Sequence, residues 1–131
     1  MTKSEKLNFL ILFLLGGVSS FSLPPYNFFF INFISFTFLF LFLVEAKNSN
    51  KSKLIFFLYG WFFGFGYFIC SLYWISISLT FDNNFKFLIP ISIIFIPAFI
   101  STFFGISTLM TKFFLSQKKN YYFTSFIFTC F

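Results

Sequence analysis

Histidine and arginine are absent from this sequence, and only three carboxylates occur, Glu5, Glu45 and Asp82. Without histidine there is no Ser-His-Asp or Cys-His pairing to activate a nucleophile. Cysteine is scarce too: Cys70 and Cys130 alone make no metal site, because structural and catalytic sites need three or four ligands. None of the carboxylates falls within a long apolar run. The intramembrane charges that mark proton relays and ion paths are therefore missing, which argues against a proton-driven transporter. Charged residues make up 9% of the chain, against about 25% in a soluble domain. The residues supply no catalytic group, no metal site and no cofactor site, and they exclude an ordinary water-soluble fold.

What the chain has in abundance is apolar surface. Of 131 residues, 59% are hydrophobic and thirty are phenylalanine. Phe, Ile, Lys and Asn dominate, the vocabulary of an AT-rich genome, so most of the phenylalanine reads as apolar filler rather than as a binding box. The net charge is +6, all from lysine. Basic-aromatic segments such as Phe85-Lys86-Phe87 or Lys118-Lys119-Asn120-Tyr121 do not form a nucleic-acid platform. Stacking requires exposed aromatics beside a basic groove, and these aromatics lie in or beside membrane-length runs. Cys70 sits inside such a run and is expected to be a small buried residue.

Four apolar blocks and the start of a fifth are visible, at 7–23, 26–44, 54–81, 87–111 and 121–131. About 20 apolar residues at 1.5 Å each cross a hydrocarbon core of roughly 30 Å. Lipid offers no partner to backbone polar groups, so the crossings must be helical. The fold class is an all-α membrane protein: a multispanning helical bundle of four spans plus a truncated fifth. The last block, eleven residues long, reads as the beginning of a span, and the sequence is expected to be the front part of a longer protein. A cleaved signal peptide at the start competes with this reading, but an apolar segment follows almost at once.

Lysine sets the orientation. With a cytoplasmic N-terminus and one crossing per block, Lys3, Lys6, Lys47, Lys51, Lys53, Lys112, Lys118 and Lys119 all fall inside, and only Lys86 falls outside. That distribution follows the positive-inside bias. Pro24 and Pro25 mark the first outer turn, because proline donates no hydrogen bond and the residue before it leaves the helical region.

The third block contains GWFFGFGYFICSLYWISISL, residues 60–79. On a helix, Gly60, Gly64, Ser71 and Ser78 fall within about 40° of one another. Gly60 and Gly64 form a literal G-x-x-x-G, with Gly66 close by. Helices in lipid associate by close packing, and small residues let backbones approach. The stripe is a helix-packing face, or a cavity wall on which a lipid chain lies; the serines can donate hydrogen bonds across such a contact. Trp61 belongs near the cytoplasmic interface, and Tyr73 and Trp74 near the outer one. There they serve as headgroup-level anchors or, on the outer side, shape a lipid-entry site. Pro90 and Pro97, seven residues apart, share a face of the fourth block and bend it or open a gap beside it.

Two of these segments resemble a known family. Gly60-Trp61-x-x-Gly64-x-Gly66-x-Phe68, followed by Leu72-Tyr73-Trp74-Ile75-x-x-Ser78-Leu79, resembles the third span of bacterial apolipoprotein N-acyltransferases. Phe21-Ser22-Leu23-Pro24-Pro25-Tyr26 is similar to that family's early proline turn. The order of short first span, proline turn, basic loop and glycine-rich span is also similar. The resemblance implies a multi-pass protein of the bacterial inner membrane with eight spans. It further implies an outer nitrilase-like α/β domain bearing a Glu-Lys-Cys triad, which moves an acyl chain from phospholipid to the α-amine of a lipoprotein's diacylglyceryl-cysteine. None of that triad carries over to a position of this chain. The partners implied are membrane phospholipid and, only for the full-length enzyme, a lipoprotein substrate; nucleic acid is not among them, and oligomeric state is left open. A small multispanning scaffold and a fragment of a lipid or solute transporter are the readings from other classes.

Overall fold

The computed structural model of the chain describes residues 3–24, 26–73 and 89–116. They form α1 (Lys3–Ser19), a short 3-10 turn (Ser20–Ser22), α2 (Phe30–Asn48), α3 (Lys53–Ser71) and α4 (Ile89–Ser116). No strand occurs among the described residues. Among the described residues, four segments are long and apolar enough to cross a membrane: Glu5–Ser22, Phe30–Asn48, Lys53–Ser71 and Ile93–Phe113. The protein is an all-α membrane protein. The block at 121–131, the linker Asp82–Lys86 and the end of the third block lie outside the described residues.

The helices run past the apolar blocks that reveal them. α1 begins at Lys3 and α2 continues through Glu45, Ala46, Lys47 and Asn48. Apolarity reports depth in lipid, whereas a helix continues until something ends its hydrogen bonding. For α2 that terminator is Asn50, with φ 48°, a left-handed residue of the kind that closes helix C-termini. The amide of Lys51 donates to the Ala46 carbonyl at 3.0 Å and that of Ser49 to Glu45 at 3.0 Å. Ser52 then turns extended and α3 starts.

The first turn is built by the proline-bearing motif. The Tyr26 amide donates to the Leu23 carbonyl at 3.2 Å, and the Phe28 amide returns to Phe21 at 3.3 Å. The Phe21 and Tyr26 rings meet edge to face at 5.2 Å. Pro24 lies exposed in this turn; Pro25 is outside the described residues.

α3 is the central helix, packed along α1 on one side and α4 on the other. α2 contributes a single buried stripe, Ser35, Leu39, Leu43 and Ala46. The core joins this stripe to Phe9 and Leu12 of α1 and to Phe56, Tyr59 and Phe63 of α3. Most remaining large side chains point outward, among them Phe30, Phe33, Phe95, Phe99 and Phe103. In water such a surface would aggregate; in lipid it is the expected exterior.

Pro90 sits in the first turn of α4, where a missing amide donor has no cost. Pro97 is inside the helix and fully buried, and the Ser101 hydroxyl donates to its carbonyl.

Candidate functional site

The glycines of α3 serve two different neighbours. A Cβ on Gly60 would overlap the Thr108 hydroxyl and lie 2.5 Å from the Phe104 carbonyl oxygen, both on α4. One on Gly64 would come within 3.0 Å of the Phe104 Cβ. Gly66 faces the other way, and its Cβ would run into the Phe13 carbonyl of α1. Gly16 of α1 reciprocates: a Cβ there would strike the Phe63 carbonyl and approach the Tyr67 amide at 3.0 Å. Backbone thus rests on backbone at the α1–α3 crossing. Helical spacing accounts for the division, since Gly60 and Gly64 are about 40° apart, whereas Gly66 lies about 120° from Gly60 and about 160° from Gly64.

Polar groups within the bundle are mostly satisfied locally. Ser19 donates to Leu15 at 2.9 Å, Thr37 to Phe33 at 2.7 Å and Thr111 to Ser107 at 3.0 Å, the bonding back to the preceding turn that hydroxyls make in helices. Among the described residues, two hydrogen bonds cross between α3 and α4. The Thr108 hydroxyl of α4 reaches the Phe56 carbonyl of α3 at 2.8 Å, beside Gly60. The Trp61 indole N–H donates to the Ala98 carbonyl at 3.2 Å, and its ring stacks on Phe65 at 5.0 Å. Trp61 therefore turns its polar edge to a neighbouring helix and not to headgroup-level water.

The remaining sequence candidates are scattered. Ser71 is partly buried, and its hydroxyl has no partner among the described residues. Tyr73 is exposed. Trp74 and Ser78 lie outside the described residues. Cys70 is exposed rather than buried: it sits at the edge of the α1 contact, 3.5 Å from where a Gly17 Cβ would be. An apolar run in lipid has an outside as well as an inside.

A polar cluster that sequence reading missed ties the lysine-bearing ends of the helices together. Lys51 pairs with Glu5 at 3.7 Å and donates to the Tyr59 hydroxyl at 3.3 Å. Asn8 donates to the same hydroxyl at 3.3 Å. Lys112, near the end of α4, donates to the Lys51 carbonyl at 2.6 Å. The start of α1, the α2–α3 loop and the end of α4 are thereby brought to one end of the bundle. A tyrosine at 59, about two turns from Lys51–Ser52 and inside an apolar segment, was the only sequence signal. Gly16-Gly17 was the corresponding signal on α1.

The site, taken whole, is a set of tight helix contacts with no group of three His, Cys, Asp or Glu side chains that could hold a metal among the described residues. Its chemistry is packing. Comparison with known proteins gives the lineage. Residues 15–131 match the family described as the apolipoprotein N-acyltransferase N-terminal domain. The chain is 34% identical over 109 residues to the apolipoprotein N-acyltransferase of Rhizobium rhizogenes, covering 79% of this chain and 20% of that protein. It is 36% identical over 108 residues to that of Rhizobium etli, covering 78% and 20%, and 29% identical over 106 residues to that of Brucella melitensis, covering 76% and 20%. The chain spans about a fifth of the length of these curated relatives. No solved structure matches. With nearly nine-tenths of its length matched, the chain belongs to the apolipoprotein N-acyltransferase N-terminal domain family.

Proposed function

We propose that this chain is the membrane-embedded front of an enzyme that moves an acyl chain from phospholipid to the N-terminal diacylglyceryl-cysteine of lipoproteins. Its own part is to anchor that enzyme in the bacterial inner membrane and to frame lipid access. The family match over residues 15–131 carries the reading. Two features agree with it. The glycine contacts make α1, α3 and α4 a closely packed frame, and Lys51, Lys53 and Lys112 meet at one end of the bundle, as they would on a cytoplasmic face. The 131 residues perform no acyl transfer alone on this reading, because none of the Glu-Lys-Cys triad implied by the family resemblance carries over to a position of this chain.

A complementation experiment tests this. In cells depleted of their own N-acyltransferase, the 131 residues alone restore no lipoprotein N-acylation. A chimera in which they replace the matched segment of the Rhizobium etli enzyme restores it. Full rescue by the 131 residues alone sinks the anchoring role; a chimera that inserts stably but leaves lipoproteins unacylated sinks the lineage-based function.

A further inference from the structure

We infer that the seam between α3 and α4, at the lysine-bearing end of the bundle, binds the headgroup of an anionic phospholipid. This inference goes beyond acyl transfer and does not depend on it; only the assignment to the inner leaflet rests on the proposed orientation.

Two ammonium groups straddle this seam reciprocally. Lys53, the first residue of α3, places its Nζ 5.2 Å from the centre of the Phe113 ring on α4. Lys112 of α4 places its Nζ 4.7 Å from the centre of the Phe56 ring on α3. Each cation therefore leans on the other helix. Lys112 uses one proton on the Lys51 carbonyl at 2.6 Å, which leaves two donors. Neither ammonium is paired with a carboxylate among the described residues; Lys51, which is, takes Glu5. Two positive charges held at one helix seam, with no carboxylate paired to them among the described residues, call for an external anion. The Ile55 amide is taken by the Ser52 carbonyl at 3.2 Å, but Ser52 makes no side-chain cap, so the Lys53 and Leu54 amides at the start of α3 add donors of the right sign.

The surroundings select a lipid over a free anion. Directly along the seam, Leu54 is 65% exposed and Phe113 is 56% exposed. Cationic donors sit at the helix ends with bare apolar side chains beside them. That is the profile of a headgroup and its acyl chains, and basic pockets between spans are known to take anionic headgroups.

The test uses the purified full chain in detergent and counts retained lipid by native mass spectrometry. Phosphatidylglycerol is compared with phosphatidylcholine of the same chains, with inorganic phosphate as competitor. Each lysine near an anionic surface contributes a factor of about five. Lys53→Gln with Lys112→Gln should then weaken phosphatidylglycerol retention roughly twenty-five-fold, while the paired Lys→Arg substitutions and Lys6→Gln leave it unchanged. Should the double variant fail to fold, Lys53→Gln alone decides the matter, with a loss of about fivefold, because among the described residues the Lys53 ammonium makes only a ring contact. Equal retention of the two lipids, or undiminished retention by the Gln variants, overturns the proposal. Displacement by inorganic phosphate at matched concentration also overturns it, by assigning the seam to a soluble anion.

Discussion

Substituting Gly66 by alanine should destabilise the bundle more than any other single methyl added to α1 or α3, save its reciprocal at Gly16. The new Cβ would meet the Phe13 carbonyl oxygen, its carbon at 3.0 Å and the Gly17 amide nitrogen at 3.2 Å. All three atoms are α1 backbone and cannot rotate away. The helices must move apart by roughly 1 Å, a gap that forfeits a quarter to a half of the dispersion attraction along the seam. That loss is on the order of 1 kcal/mol, and overpacking strain adds about 1–3 kcal/mol. The expected total is about 2–4 kcal/mol. Gly17 is the internal control. A Cβ there finds only Cys70 Sγ at 3.5 Å and the Gly66 carbonyl oxygen at 3.9 Å, which is ordinary contact. Alanine at 17 should leave stability within about 0.5 kcal/mol or raise it slightly, since alanine is the better helix former. Reversible unfolding of the purified chain in mixed micelles of increasing dodecyl sulfate, followed by far-ultraviolet circular dichroism, measures both. If Gly17→Ala costs as much as Gly66→Ala, or if neither costs anything, the close approach of α1 and α3 is wrong.

On the opposite face, Gly60→Ala should cost about 1–3 kcal/mol by striking Thr108 and the Phe104 carbonyl. Gly64→Ala, which meets only the Phe104 side chain at 3.0 Å and beyond, should cost clearly less in the same titration; the reverse ranking would contradict the α3–α4 geometry. Tyr59→Phe should lower stability by about 1–2 kcal/mol, because Asn8 and Lys51 both lose the hydroxyl they approach at 3.3 Å. A variant as stable as the parent would show that the inner polar cluster does not hold the helix ends together. A reporter that works only in the cytoplasm should be silent when fused within 82–86, and activity there would reverse the orientation.

The existence of the helices was legible in the sequence because lipid leaves the backbone no alternative. Which residues face inward was not. Phe56 and Phe63 are fully buried, while Phe30 is 81% exposed and Phe99 69%. One residue type occupies both places because lipid is as apolar as the core, so hydrophobicity does not sort inside from outside. Cys70 went astray for the same reason. Small residues carry better information, since only they permit close contact, and Gly60 and Gly64 stood out on that ground. Even so, a helical wheel shows which residues share a face and not which neighbour the face meets. Gly16 and Gly17 are about 100° apart; Gly16 presses on α3 backbone while Gly17 makes only ordinary contact with it, and nothing in the sequence says which of the two does so. The bond across from α4 comes from Thr108, while Ser71 of the α3 stripe has no partner among the described residues.

The third glycine of the G-x-x-x-G-x-G pattern now has a physical reason. A span carrying G-x-x-x-G alone offers one face for close approach. α3 lies between two neighbours, and its other side is lined with Phe62, Phe63 and Phe65, whose rings would hold a second helix away. Gly66 interrupts that lining where Phe13 and Gly17 of α1 pass. Gly60 does the same for Thr108 and Phe104 of α4. Trp61, beside the first glycine, adds a hydrogen bond to the same neighbour, its indole N–H reaching the Ala98 carbonyl of α4. The pattern is therefore the signature of a helix gripped from both sides, and its spacing is set by the angle between its two partners.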